Sequence, residues 1–212
     1  IMLAIIGGSG LYALQGLHLE QEHQITTPFG EPSAPILQGI FAGKAVLFLA
    51  RHGFEHSHLP SEVNYRANIF ALKKLGARRV VAISAAGSLR MEIQPGELAL
   101  AAQYFDHTRG KRAYSFFGNG VVAHVSTANP ACPSLSADIV QAAERSGELM
   151  HEGKTYGCVE GPRLGTRAES FFLRDSAQCD LVGMTNVPEA FLAREAQLAY
   201  CTISVSYTHL TL

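Results

Sequence analysis

Continuously apolar runs alternate along this chain with segments of helical spacing, and this alternation restricts the fold more than any other feature. Runs such as LAIIGG, VLFLA and VVAIS have no regular polar positions, which is typical of strands buried on both faces of a sheet. Between such runs, Ile69, Leu72 and Leu75 have near-helical spacing, and a second helical segment ends at Gly147. The pattern predicts an α/β fold with a central mixed, largely buried β-sheet flanked by helices.

Composition and charge exclude several classes of protein. The chain has 212 residues, of which 47% are hydrophobic, and a formal net charge of −1. This suits one globular domain with a substantial core and offers no basic surface for nucleic acid. The apolar N-terminal run is too short for a secretory signal, no run reaches membrane-spanning length, and the four cysteines form no C-x-x-C pair. We therefore expect a cytoplasmic protein with reduced cysteines that binds neither nucleic acid nor a membrane.

Segments that follow predicted strands are the first places to look for a site, because ligands of α/β proteins bind at the carboxyl ends of strands. The first is Gly7–Gly10, whose glycines let the backbone approach a phosphate and whose Ser9 adds a donor. It also fits a dinucleotide fingerprint, but Gly16 interrupts the long helix that this motif requires, so we expect no dinucleotide; a plain tight turn is the other alternative. Arg51 and His52 follow a later strand and offer a planar fork of donors and an imidazole to an oxyanion.

Two further segments follow strands in the same way. Small residues in Ser84–Ser88 leave room for a ligand and, in a loop after the strand, expose backbone N–H groups. Met184 and Thr185 precede a predicted helix with Asn186 as its N-cap and Glu189 as an acid of its first turn, and a helix N-terminus favours an anion. Together the segments predict an anion pocket, for phosphate, beside an apolar cleft. There is no P-loop lysine motif and no G-x-S-x-G elbow, which disfavours triphosphate hydrolysis and serine hydrolase chemistry.

A histidine cluster allows a metal site as an alternative. His52, His56 and His58 form an H-x3-H-x-H pattern, with Glu55 and Glu62 nearby in sequence. This spacing, in a loop beside a proline, is not a usual ligand pattern, so we predict no metal.

Six segments, taken in order, resemble the 5′-methylthioadenosine phosphorylases of the trimeric purine nucleoside phosphorylase group. They are IIGGSGL, TPFGEPSAPI, ARHG with LPSEVNYRANIFALKKLGA, SAAGSLR with IQPGE, EGPRLGTRAES and GMTNVPEAFLAREA. The resemblance covers residues from about 3 to about 204. It implies a transferase in which phosphate attacks the ribosyl anomeric carbon of 5′-methylthioadenosine and adenine leaves, in purine and methionine salvage. It also implies a homotrimer that acts on a nucleoside and inorganic phosphate and needs no metal or organic cofactor.

The resemblance also assigns roles to individual residues. The phosphate-binding residues are Ser9, Arg51, His52, Ala85 and Thr185, and the substrate-binding residues are Ser84, Ala86, Leu164, Met184 and His124. Leu164 matches an apolar residue beside the base. His124 matches a histidine that reaches into the pocket of a neighbouring subunit.

Two departures from the family pattern bear on substrate preference. Gly165 stands where relatives often carry Ser or Glu, so a side chain able to touch the base is absent. Gly183 stands where the adenosine enzymes often carry Asn, which keeps open a methylthioinosine or 6-oxopurine nucleoside phosphorylase. A non-catalytic phosphate- or nucleoside-binding domain is the second alternative.

The C-terminal residues depart most from the family pattern. The family continues after the strand AYCTISV, residues 199–205, into a loop with an Asp that serves the purine N7; this chain has no Asp or Glu after Glu195. The catalytic residue is therefore unidentified. The last residues, VSYTHLTL, also resemble a translated sequencing adapter. We expect residues 1–204 to be a single domain that is incomplete at its C-terminus, residues 205–212 to be a non-native tail, and turnover to be reduced by about 10²–10⁴-fold.

Overall fold

Nine strands form one mixed sheet in the computed structural model, which describes residues 2–209. The strands are β1 (Met2–Gly7), β2 (Leu17–His23), β3 (Ile36–Phe41), β4 (Lys44–Ala50), β5 (Ala77–Ser88), β6 (Leu98–His107), β7 (Met150–Val159), β8 (Leu181–Gly183) and β9 (Ala199–His209). The α-helices are α1 (Tyr65–Lys74), α2 (Pro133–Ser146), α3 (Arg167–Phe171) and α4 (Asn186–Glu195). A short 3₁₀ helix covers Ser9–Ala13, and a π-helical turn covers Phe172–Ser176.

The strand order is β2-β3-β4-β1-β5-β8-β7-β6-β9, and β9 pairs with β5 as well as with β6. This double pairing closes β5, β8, β7, β6 and β9 into a barrel-like half of the sheet. Strands β4, β1, β5 and β9 are mutually parallel where they pair, whereas β2–β3, β3–β4, β5–β8 and β6–β9 are antiparallel. The predicted mixed, largely buried sheet flanked by helices is confirmed.

Local signals in the sequence explain how the helices start and stop. The Asn64 side chain accepts the N–H of Ala67 at the start of α1, and Gly76, with φ of +95°, follows its end in a conformation that favours glycine. The predicted capping box between Thr166 and Glu169 opens α3. No helix of the described part of the chain is both long and apolar enough to cross a bilayer.

Strand β2 was not predicted from the sequence. It is an exposed edge strand whose one partner among residues 2–209 is β3, and most of its residues face solvent. An exposed edge strand needs no apolar alternation, which is the signal that sequence reasoning uses.

Two predictions of local structure were wrong. Ser84–Ser88 is not a loop after a strand, because all five residues belong to β5 and pair with β9. Asn186 is not the side-chain cap of α4: Val187 has non-helical angles of −121° and 125°, and the Asn186 amide donates instead to Tyr200. Tertiary hydrogen bonds thus override the local capping signal.

The strand that the sequence predicts over AYCTISV, residues 199–205, continues beyond Val205. Ser204 is a fully buried residue inside β9, where it pairs with Ser84 of β5 and Ala99 of β6. The chain does not enter a loop after Ser204, because the ladder between β9 and β5 extends to His209. The expected end of the strand is therefore corrected from Val205 to His209.

The continuation of β9 includes part of the segment that we interpreted as a non-native tail. Residues 205–209 belong to this strand, while residues 210–212 lie outside the described residues. The domain boundary at 204 and the origin of residues 205–212 stay predictions.

Candidate functional site

A cavity of about 490 Å³ lies where β1, β4 and β5 approach their carboxyl ends, beside the end of β8. Seven of the predicted site residues line it, namely Arg51, His52, Ser84, Ala85, Leu164, Met184 and Thr185. Gly8, from the glycine-rich segment, lines it as well. The segments singled out from the sequence therefore share one cavity, while the binding roles of the individual residues stay predictions.

Three predicted site residues do not line the cavity. Ser9 lies one position beyond Gly8, at the start of the 3₁₀ helix. Ala86 has no exposed surface and packs in the hydrophobic core, because successive residues of a strand face opposite sides. His124 is exposed in the segment between β6 and α2.

The segment after Ser204, where the resemblance places the purine-side acid, does reach the cavity. Ser204 itself is buried and does not line it, but Val205 and Tyr207 do. The alternation of side chains along β9 accounts for this arrangement, since Val205 and Tyr207 are two positions apart and share a face of the strand. The cavity therefore meets an apolar and an aromatic side chain here instead of a carboxylate.

Arg51 is held in place by a buried carboxylate. Its Nε and Nη2 donate to the two carboxylate oxygens of Glu189 at 2.7 and 2.8 Å, and its Nη1 donates to the carbonyl of Ile83 at 3.1 Å. Both side chains of the ion pair are almost inaccessible to solvent. Burial alone would lower the pKa of Arg51, but the charge and hydrogen bonds of Glu189 outweigh it and raise that pKa, so the guanidinium stays charged.

Glu189 lies in the first turn of α4, as predicted, but nothing in the sequence indicates its contact with Arg51. Besides its bonds with Arg51, its Oε1 accepts a hydrogen bond from the hydroxyl of Tyr200 at 2.7 Å. The amide nitrogen of Asn186 lies 3.4 Å from the same Oε1. Asn186 in turn accepts the hydroxyl of Ser84 at 3.3 Å. Hydrogen bonds therefore connect the guanidinium of Arg51 to the hydroxyl of Ser84, and they fix both side chains in the absence of a ligand.

His52 is oriented by the loop that follows β4. Its Nδ1 donates to the carbonyl of His58 at 3.0 Å, which leaves Nε2 as the second functional nitrogen. His56 stacks on it with ring centroids 6.1 Å apart. Within residues 2–209, no group of three or more His, Cys, Asp or Glu side chains is placed to hold a metal ion.

The pKa of His52 predicts a pH effect on stability. Burial lowers this pKa below its ordinary value of 6.5, with the carbonyl of His58 opposing the shift only in part. Between the folded-state pKa and 6.5, the unfolded chain binds a proton that the folded chain does not, so lowering the pH through this window favours unfolding. We expect the melting temperature to fall more from about pH 7.5 to about pH 5.5 in the wild type than in His52→Gln. Equal changes in the two proteins, measured by calorimetry, would contradict this assignment.

An apolar wall of the cavity is formed partly by the end of β7 and the segment that follows it. Val159, Leu164, Val182 and Val205 line it, and Leu164 is 57% exposed. Among residues 2–209, no Asp or Glu side chain lines the cavity. The cavity therefore offers cationic and hydroxyl groups to an anion and apolar side chains to an apolar or aromatic group.

This geometry suits an α/β protein with a site for a small oxyanion and an organic molecule at the ends of its parallel strands. The chain belongs to the phosphorylase superfamily, whose model matches residues 2–209.

Particular relatives support this assignment. The S-methyl-5′-thioadenosine phosphorylase of Geobacter sulfurreducens is 49% identical over 205 residues, which are 97% of this chain and 71% of that protein. The chain also superposes on the crystal structure of a methylthioadenosine phosphorylase from an antarctic soil metagenomic library. The TM-score is 0.94 at 47% identity, and the match covers 98% of this chain and 72% of that one. The Schistosoma mansoni methylthioadenosine phosphorylase in complex with tubercidin gives a TM-score of 0.92 at 35% identity, covering 99% and 82%.

Proposed function

We propose that this protein is a methylthioadenosine phosphorylase, which converts 5′-methylthioadenosine and phosphate into adenine and 5-methylthioribose 1-phosphate. The single observation that carries the proposal is the cavity that the immobilised Arg51 lines together with an apolar wall. The identity of nearly half of the residues to the enzyme of Geobacter sulfurreducens supports the choice of substrate.

Arg51 has donors to spare for phosphate. A guanidinium carries five N–H bonds, and the hydrogen bonds to Glu189 and Ile83 use three of them. The remaining two are available to an oxyanion in the cavity, alongside Nε2 of His52 and the hydroxyl of Thr185. Because Glu189 fixes the guanidinium, little side-chain entropy is lost when phosphate binds.

Phosphate itself is the nucleophile, so no nucleophilic side chain is required. The bond from a phosphate oxygen to the anomeric carbon forms as the bond from that carbon to the purine nitrogen breaks, and the purine takes the electron pair. The sugar carries positive charge in the transition state, which the phosphate below it stabilises. Met184 and the apolar wall leave space for the sugar face and the methylthio group.

Among residues 2–209, no acidic side chain is placed in the cavity lining to protonate the leaving purine. A proton or hydrogen bond at N7 is normally supplied by an acid. We therefore expect a turnover number about 10²–10⁴-fold below that of an enzyme with a positioned general acid.

Product analysis tests the proposed function. The purified chain, in excess over 5′-methylthioadenosine, is expected to release adenine when phosphate is present, with or without a metal chelator. Release of hypoxanthine from methylthioinosine without release of adenine would favour a 6-oxopurine phosphorylase. Tight nucleoside binding with no base release from either substrate would favour a non-catalytic binding domain.

We also infer that three copies of the chain associate. Val121 and Val122 are 60% and 79% exposed and lie close in sequence to the exposed His124, and an apolar, exposed segment of this kind is typical of a protein interface. Light scattering of the purified chain measures the assembly mass directly.

A further inference from the structure

Tyr156 lies behind the cavity wall and contacts the segment that carries two of the predicted site residues. It is fully buried in β7, and its hydroxyl accepts the backbone N–H of Thr185 at 3.3 Å. Burial raises the pKa of this phenol, so the hydroxyl keeps its proton. The side chain belongs to the core, yet its one polar atom serves a backbone group of the site.

The tyrosine also occupies the volume that a side chain at position 183 would need. A Cβ atom built on Gly183 would overlap the Tyr156 hydroxyl and would stand 2.7 Å from its ring atom Cε2. Gly183 itself is buried and lines the cavity immediately before Met184 and Thr185. The phenol therefore reaches Thr185 only because residue 183 has no side chain.

A second group holds the same segment from its carbonyl side. Arg112, which is 6% exposed, donates through Nη1 to the carbonyls of Met184 at 2.7 Å and Val187 at 2.8 Å. Its Nε pairs with Glu160 at 2.9 Å, which fixes the guanidinium. The carbonyl of Met184 and the N–H of Thr185 belong to one peptide plane. Because Arg112 binds the carbonyl and Tyr156 binds the N–H, the two hydrogen bonds together fix the orientation of this plane.

We propose that Tyr156 is a positioning residue for the phosphate half of the cavity: its hydroxyl, for which Gly183 leaves room, fixes the backbone of Thr185 and thereby the position of this residue in the cavity lining. This rests on the proposed function for the identity of the anion. Tyr156 acts only through Thr185, since it is not among the residues that line the cavity.

Tyr156→Phe removes the hydroxyl and leaves the ring. We expect the KM for phosphate to rise about five- to tenfold, while the KM for the nucleoside and kcat stay within about twofold, because one neutral hydrogen bond is lost on the phosphate side. Amide hydrogen exchange at Thr185 is expected to become about tenfold faster. The matched control is Tyr104→Phe, a buried tyrosine whose hydroxyl bonds Thr202 at 2.7 Å and whose ring centroid lies 6.0 Å from that of Tyr156.

The control is expected to lose a comparable hydrogen bond while keeping the phosphate KM and the exchange rate of Thr185 unchanged. An unchanged exchange rate at Thr185 in Tyr156→Phe would overturn the proposal, as would equal rises in phosphate KM in both variants. If the wild-type chain released no base at all, the proposed function would fail. Hydrogen exchange, together with protection against thermal unfolding by inorganic phosphate, would still decide the role of Tyr156.

Discussion

Replacing Glu189 by leucine is expected to lower the free energy of unfolding by about 3–5 kcal/mol, because the charge of Arg51 is then buried without a counter-ion. The side chains of Arg51 and Glu189 are only 3% and 0% exposed, so water cannot replace the lost partner. Denaturant unfolding measures this loss. Removing both charges, in Arg51→Met with Glu189→Leu, is expected to restore most of the stability and to abolish phosphorolysis.

An exposed ion pair supplies the control for this prediction. Arg79 and Asp138 are 36% and 55% exposed, so Asp138→Ala is expected to cost no more than about 1 kcal/mol. Glu189→Gln, which keeps the shape of the carboxylate, covers the case in which the leucine variant does not fold. A double variant no more stable than Glu189→Leu would contradict the assignment of Arg51 and Glu189 as a coupled pair.

Placing a single methyl group at position 183 is expected to have the second large effect. In Gly183→Ala the new Cβ overlaps Tyr156, whose side chain is fully buried. Overpacking of this kind costs about 1–3 kcal/mol, and a displacement of Thr185 by about 1 Å is expected to lower kcat/KM for phosphate by about 10²-fold. Thermal unfolding and phosphate kinetics measure the two effects.

Two further variants distinguish the steric overlap between position 183 and Tyr156 from the effect that any replacement of glycine by alanine has. Gly10→Ala places a methyl group where no atom lies within 4 Å, and its stability is expected to change by less than about 0.5 kcal/mol. Combining Tyr156→Leu with Gly183→Ala removes the ring atoms that overlap, so the effects of the two substitutions are expected to be strongly non-additive. Additive losses would show that Tyr156 and Gly183 do not share the same space.

The buried strands and the common cavity could be predicted because both follow from local signals. Apolar runs mark strands covered on both faces, and parallel strands carry the residues at their ends to one edge of the sheet. Strand β2 escaped prediction because an exposed edge strand carries no apolar pattern. The sequence alone assigns residues 84–88 to a loop and ends the last strand at Val205, because small and polar residues are typical of the end of a strand. The pairing of β5 with β9 keeps both segments in the sheet.

Tertiary partnerships in the site could not be predicted. Arg51 and Glu189 are 138 positions apart, and the sequence around either residue contains no signal for a contact with the other. The local signal at Glu189 was that of an acid in the first turn of a helix, which is a common and sufficient explanation of such a residue. Tyr156 of β7 fills the space beside Gly183 of the neighbouring strand β8. Such a fit depends on side-chain volume, which the spacing of residues in the sequence does not reveal.

Transfer of phosphate to the sugar is the central claim, and a single-turnover reaction with radiolabelled phosphate tests it most directly. With the chain in excess over 5′-methylthioadenosine, we expect one labelled 5-methylthioribose 1-phosphate for each adenine released, and neither product without phosphate. Adenine released without incorporation of label would mean that water, not phosphate, attacks the sugar, and would contradict the role given to Arg51 and its cavity.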